Sequence, residues 1–176
     1  MEKHILSILV RNSSGVLARV SGLFSRRGFN IESLAVNKTD NPNISRMTIC
    51  LIGDYDVLEQ FTKQLNKLED VLNVLELKQN ISVCRELVLI KVEATAEKRS
   101  EIYGIVEIFR SNIIDISETT LTIELTGDES KVSALINLMQ PYGIKEIVRT
   151  GICALERGEK VITDYCDMLN CEEVKA

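Results

Sequence analysis

The 176-residue chain has room for one large domain or two small ones of roughly 80 to 90 residues each. Its 21 Lys and Arg against 26 Asp and Glu leave a formal charge of −5, which gives no broad attraction to a phosphate backbone and argues against nucleic acid as a partner. A 45 % hydrophobic, 27 % charged composition excludes a largely disordered chain, and no apolar run reaches the roughly 18 residues of a membrane span.

His4 to Val10 alternates as a strand, with Leu6, Ile8 and Val10 on one face and Ile5 and Leu9 on the other. The start, Met1-Glu2-Lys3-His4, enters this strand without a signal-peptide layout, so a cytoplasmic protein is expected. After the polar loop Arg11-Asn12-Ser13-Ser14-Gly15, the stripe Val16, Leu17, Val20, Leu23, Phe24 predicts a helix to Arg27, closed by Gly28 at C′. Phe29–Thr39 and Ile44–Ile52 read as a hairpin about the turn Asp40-Asn41-Pro42-Asn43. Asp54, behind Gly53, is the candidate N-cap of a second helix striped by Val57, Leu58, Phe61, Leu65 and Leu68. Val71–Lys78 is a fourth strand, giving the order βαββαβ.

The second half repeats that order. Leu87–Val92 is a strand, and a helix from Thr95 or Ala96 carries Ile102, Ile105, Val106 and Phe109. Ile113–Ser117 and Leu121–Thr126 form a hairpin, and Gly127-Asp128 stands where Gly53-Asp54 stood. A helix striped by Val132, Leu135, Ile136 and Met139 ends at Pro141-Tyr142-Gly143, and Ile144–Ala154 is the last strand. The expected architecture is α+β: two tandem ferredoxin-like units, residues 3–78 and 84–158, a linker at 79–83 and a tail at 159–176. Each unit lays two helices on one face of its sheet and leaves the other face bare. An apolar bare face predicts dimerisation through sheet edges, sheet faces or both.

Five cysteines, an odd and scattered number, are expected to be reduced thiols. Cys50, Cys84 and Cys153 lie in apolar strands and read as buried structural thiols. Cys166 and Cys171 lack C-x-x-C spacing, and His4 is the one imidazole, so neither a metal site nor a Cys/His nucleophile is expected. Arg26 and Arg27 read as solvated charges at a helix end. Arg46 either pairs with a carboxylate on a neighbouring strand or reaches a partner, and Arg110, Arg149 and Arg157 read as structural ion-pair formers.

Three functions compete for such a fold. Base stacking needs aromatics on the central strands, but Phe24, Phe61 and Phe109 fall on helical stripes. Catalysis needs a nucleophile or base set, and no Ser-His-Asp set, paired catalytic carboxylates or phosphate loop is found. A small-ligand sensor fits the loop Asn12-Ser13-Ser14-Gly15-Val16-Leu17. Helix N-terminal N–H groups suit a carboxylate, Gly15 permits close backbone approach, and the Asn12 amide can accept from an ammonium or donate to a carboxylate. Asn30 adds a second amide, from the same or a neighbouring subunit. That set suits a zwitterionic amino acid with an apolar side chain and needs no Arg or Asp in the pocket. A plain Ser14 cap with Gly15 relaxing the turn remains the alternative.

The run Asn12-Ser-Ser-Gly-Val-Leu-Ala-Arg-Val-Ser-Gly-Leu-Phe-Ser-Arg-Arg-Gly-Phe-Asn-Ile-Glu-Ser-Leu34 closely resembles the opening of the acetolactate (acetohydroxyacid) synthase small regulatory subunits. The likeness continues through Ser45–Ile49, Leu58-Glu59-Gln60, Lys63–Leu68 and Val71. It extends through Glu107–Ser111, Asp115, Thr126-Gly127-Asp128, Gly143-Ile144, Arg149-Thr150-Gly151 and Arg157-Gly158, covering about residues 3 to 158. The resemblance implies an N-terminal ACT domain and a ferredoxin-like C-terminal domain. It implies a homodimer that binds a branched-chain amino acid, usually valine, between the loop Asn12–Leu17 of one subunit and Asn30-Ile31 of the other. It also implies a non-catalytic chain without cofactors of its own. That chain would activate a large catalytic subunit holding thiamine diphosphate, Mg²⁺ and FAD, and confer end-product sensitivity. From about Glu159 on the chain departs from the family pattern. The competing classes are a free-standing amino-acid sensor, for which no helix-turn-helix is found, and a stand-alone small enzyme.

Overall fold

A computed structural model describes residues 2–26 and 30–165. The described residues form two compact units, one built from residues up to Cys84 together with those from Ile152 on, the other from Arg85–Gly151. The first holds β1 (Glu2–Arg11), α1 (Val16–Arg26), β2 (Ile31–Lys38), β3 (Ile44–Gly53), α2 (Tyr55–Leu65) and β4 (Val71–Glu76). Its antiparallel sheet has the order β2-β3-β1-β4. The alternation in β1 sends Leu6, Ile8 and Val10 towards the helices, where they pack with Met47, Ile49 and Leu51 of β3. From above come Val16, Val20 and Phe24 of α1 and Leu58, Phe61 and Leu65 of α2, the i, i+4 stripes the sequence displays. Phe24 and Phe61 meet ring to ring with centroids 4.0 Å apart. Leu17, expected on the stripe, is exposed instead, because Val16 one residue earlier takes the inward position.

β5 (Ser82–Glu93) begins in the first unit and runs on into the second, followed by α3 (Arg99–Ile108), β6 (Asn112–Ile116), β7 (Thr120–Gly127), α4 (Glu129–Met139) and β8 (Ile144–Arg149). The sheet order is β6-β7-β5-β8. Val88, Ile90 and Val92 pack with Ile123, Leu125, Ile102, Val106, Val132, Leu135 and Met139. The two tandem βαββαβ units of the sequence reading are therefore present. Gly143, with φ +85°, closes the second unit's last helical turn as expected. Gly28, Arg27, the Arg26 side chain, Cys166 and Cys171 lie outside the described residues.

α4 is capped by Asp128, whose Oδ1 accepts from the Lys131 N–H at 2.9 Å and from the Ser130 hydroxyl at 2.7 Å. The Ser130 hydrogen bond first, then the Lys131 N–H, hold this carboxyl below the usual carboxylate range. A depressed folded-state pKa means stabilisation that is present above the unfolded value and lost as pH falls through the folded one. Asp128→Ala is expected to lower the melting temperature at pH 7, with the gap from the parent closing below about pH 4. Thermal scans across that range check this.

Two expectations are corrected. The strand drawn through Ile144–Ala154 is two strands, β8 and β9 (Cys153–Glu156), because Gly151 at φ +79° turns the chain between them. Within the stretch read as a linker, Gln79–Ile81 form a 3₁₀ turn that runs directly into β5, and the two compact units divide after Cys84 and Gly151. Most consequential, the second face of the first sheet is not bare. Ile152 and Ala154 pack there on Ile5, Cys50 and Leu77, and Ile162 packs on Leu9, Ile44 and Leu72. The corresponding face of the second sheet carries Lys91, Glu93, Thr122, Glu124 and Glu146, with Lys145–Glu93 paired at 3.0 Å. The first sheet thus lacks the bare apolar face that the pairing argument used, while the second keeps Leu87, Leu89 and Val148 beside those charges.

Candidate functional site

The loop between β1 and α1 is fixed by its backbone. The Arg11 N–H donates to Asp70 O at 2.8 Å and the Asn12 N–H to Asn43 O at 2.7 Å, which ties the loop to the entry of β4 and to the β2–β3 hairpin. Asn12 Nδ2 donates to Pro42 O at 2.8 Å. One amide hydrogen is thereby committed, and Oδ1 is left as the acceptor end. Gly15 sits at φ +83°, a left-handed conformation that L side chains rarely adopt. Val16 N–H reaches back to Ser13 O at 3.5 Å, and α1 has no acidic residue in its first turn. Among the described hydrogen bonds neither Ser13 nor Ser14 gives its hydroxyl to the helix start. The loop's exposed residues Asn12 to Gly15 lead into a helix start whose first N–H groups lack intrahelical acceptors.

One residue beside the loop escaped the sequence reading. Arg19 donates from Nε and from Nη2 to Asp70 Oδ2, each at 2.7 Å, and its Nη1 lies 3.2 Å from where a Cβ on Gly15 would stand. An arginine and an aspartate therefore flank the loop after all. The available signal was spacing: Arg19 is four residues after Gly15, one helical turn on, so its side chain returns over the loop.

The other half of the expected site is elsewhere. Ile31 pairs with Leu51 and half-buries in the first core, and Asn30 beside it is exposed. The loop adjoins Asn43 and Ile44, seven residues back along β3, a separation of about 24 Å at strand rise. One chain does not bring Asn12–Leu17 and Asn30-Ile31 to the same ligand. β2, which carries Ile31, is an edge strand and so accessible to a second chain.

The remaining polar groups have structural surroundings. His4 is buried, with Nδ1 3.0 Å from Glu76 Oε1 and Nε2 without a partner. Arg46 bonds neither a strand carboxylate nor another charge among the described residues. Its Nε donates to Ser7 Oγ at 2.8 Å and its Nη2 reaches Ala154 O at 3.5 Å, and burial lowers its pKa. Arg149 forms the expected ion pair, bidentate to buried Glu86 at 3.0 and 2.6 Å. Cys50, Cys84 and Cys153 form no disulfide among the described residues; Cys50 is buried as expected, Cys84 is half-buried, and Cys153, expected buried, is exposed because Ile152 and Ala154 take the inward positions around it. No helix among the described residues is long and apolar enough to cross a membrane.

Comparison with known proteins agrees with this architecture over nearly all of it. Residues 6–73 match the AHAS small subunit-like ACT domain, and residues 85–158 match the small subunit of acetolactate synthase. A probable acetolactate synthase small subunit of Archaeoglobus fulgidus is 56 % identical over 158 residues, 90 % of this chain and 99 % of its own length. The acetolactate synthase small subunit of Mycobacterium bovis is 51 % identical over 159 residues, 90 % of this chain and 95 % of its own. The crystal structure of the acetolactate synthase small subunit from Thermotoga maritima superposes with a TM-score of 0.85 at 43 % identity, covering 91 % of this chain and all of that one.

Proposed function

Since the chain belongs to the acetolactate synthase small-subunit family, and so is a non-catalytic subunit of a transferase, we propose that it activates a thiamine-diphosphate-dependent large subunit and makes it responsive to a branched-chain amino acid, valine first. The observation that supports this most is the loop at Gly15: positive φ, exposed residues Asn12 to Gly15 leading into the helix start, and an Asn12 side chain whose Nδ2 is held by Pro42 O, which leaves its oxygen as an acceptor. The amides suit the carboxylate of an amino acid, and the Asn12 oxygen suits its ammonium.

The separation between the two half-sites supports a homodimer. Asn12–Leu17 of one protomer and Asn30-Ile31 of its partner would close one pocket, with the ligand tying them together. A ligand regulates only by binding two arrangements unequally. Here the two arrangements are relative positions of the paired protomers, which engage the large subunit differently. Thiamine diphosphate, Mg²⁺ and FAD belong, in this reading, to that large subunit and not to this chain. A coupling of about 1–3 kcal/mol gives roughly 5- to 150-fold modulation. Valine, leucine and isoleucine differ by a methylene or its placement, about 1–3 kcal/mol in a pocket.

The test is reconstitution. The chain is mixed with an acetolactate synthase large subunit from the same cell, and acetolactate formation is followed with each of the three amino acids. Activation by the chain, reversed by valine, is expected. A large subunit indifferent to the chain refutes the activating role. Activation that none of the three amino acids changes refutes the effector role.

A further inference from the structure

The segment that covers the second face of the first sheet is held in an unusual manner. Side chains from three different strands reach its backbone: Ser33 of β2 stands 3.5 Å from the Ile152 N–H, Arg46 of β3 donates to Ala154 O at 3.5 Å, and Asn73 of β4 donates to Ile162 O at 2.6 Å. Between these fastenings Ile152, Ala154 and Ile162 enter two separate apolar clusters of the sheet. Glycines at φ +79° and +87°, Gly151 and Gly158, turn the chain before and within the segment. Its last turn is closed locally, with the Val161 N–H on Asp164 Oδ2 at 2.9 Å and the Asp164 N–H on Val161 O at 2.9 Å. The first half of the segment is a strand, β9, paired with β5 and continued by the Arg157 N–H on Ile81 O at 2.8 Å; the half beyond Gly158 is laid on the sheet face and gripped by side chains. Of the three side-chain contacts two are long, and the short one, from Asn73, is at the far end, beyond the strand pairing.

That far end lies under the candidate site. Ile162 packs on Ile44 and Leu9. Ile44 follows Asn43, whose carbonyl takes the Asn12 N–H, and Pro42, whose carbonyl takes the Asn12 side chain. Ile44 also pairs with Arg11, the residue before Asn12. We propose that Ile152–Asp164 is a strap, fastened at Asn73 and Ile162, whose docking sets the geometry of the Asn12 loop, so that loosening the strap loosens the ligand site on the opposite side of the hairpin. The part of this that concerns a ligand rests on the reading given under Proposed function; the coupling of strap to loop does not.

The experiment uses the full chain and two variants, Asn73→Ala and Ile162→Ser, neither of which touches the helix face of the sheet or the loop itself. Amide hydrogen exchange is followed at residues 159–164 and at Asn12, and valine binding is measured by calorimetry. In both variants exchange at 159–164 should rise at least tenfold, exchange at Asn12 should rise with it, and the valine dissociation constant should increase about fivefold or more. A strap that loosens while Asn12 exchange stays at the parent value overturns the proposal, as does a strap that neither variant loosens. If the parent chain binds no valine, the effector reading fails, and the exchange measurements still decide the coupling.

Discussion

Replacing Gly15 by Asp is expected to raise the valine concentration needed for half-inhibition by about 30- to 150-fold, the equivalent of roughly 2–3 kcal/mol of like-charge repulsion at a carboxylate site. Two effects meet at this residue. Its φ of +83° makes any L side chain costly, about 1–2 kcal/mol. The added Cβ would also stand 3.2 Å from Arg19 Nη1. The new carboxylate would be drawn to that guanidinium and so occupy the space where helix-start amides would meet the ligand. Gly15→Ala carries the same backbone cost without the charge, so the difference between the two variants isolates the electrostatic part. Activation of the large subunit, measured without valine, should change much less than inhibition does. Valine inhibition of the Gly15→Asp complex at parent concentrations would remove the loop from the effector site.

Arg149→Met is expected to destabilise the second unit by about 3 kcal/mol. The guanidinium holds both oxygens of Glu86, at 3.0 and 2.6 Å, and the Glu86 side chain is 3 % exposed. Removing one partner of a buried pair leaves a desolvated charge, at a cost of about 3–5 kcal/mol; the lower end applies because the Arg149 side chain is 43 % exposed. Methionine keeps the alkyl stem, so the loss reports the charge and not the packing. The double variant Glu86→Leu/Arg149→Met should recover most of the stability, because an apolar pair of similar volume is often as stable as a buried ion pair. Urea unfolding of the full chain measures both. A single-variant loss below about 1 kcal/mol would mean that water reaches Glu86 and the pair acts as a surface bridge.

The parts of the fold that local pattern encodes were legible. Alternation in His4–Val10, the i, i+4 stripe Val16–Val20–Phe24 and the Asp40–Asn43 turn each answer to period or turn chemistry, and each is where the sequence places it. The α4 start at Asp128 is another case, capped through a side chain of the type that caps require. What was not legible depends on distant residues. Nothing in Ile152 or Ile162 marks them as cover for Ile5 and Leu9, more than 140 residues earlier. β1 is apolar on both faces, Ile5 and Leu9 opposite Leu6, Ile8 and Val10, yet nothing in it names what covers the second. Cys153 departs from its sequence pattern for the same reason, since an apolar neighbourhood in sequence says nothing of which neighbour turns inward. In the candidate site, glycine and asparagine were readable from their chemistry, while the Arg19–Asp70 pair needed the helix turn and the β4 entry to be brought together.

The first unit is assembled from two stretches with the 67 residues of Arg85–Gly151 between them. During translation at about 5–20 residues per second, roughly 3 to 13 seconds separate Cys84 from Ile152. For that interval the nascent sheet would carry Ile5, Leu9, Cys50 and Leu72 without their cover, while the contiguous unit behind it can already close. The unit begun first is therefore completed last, and its apolar face stays open to aggregation until Ile152 to Ile162 have emerged.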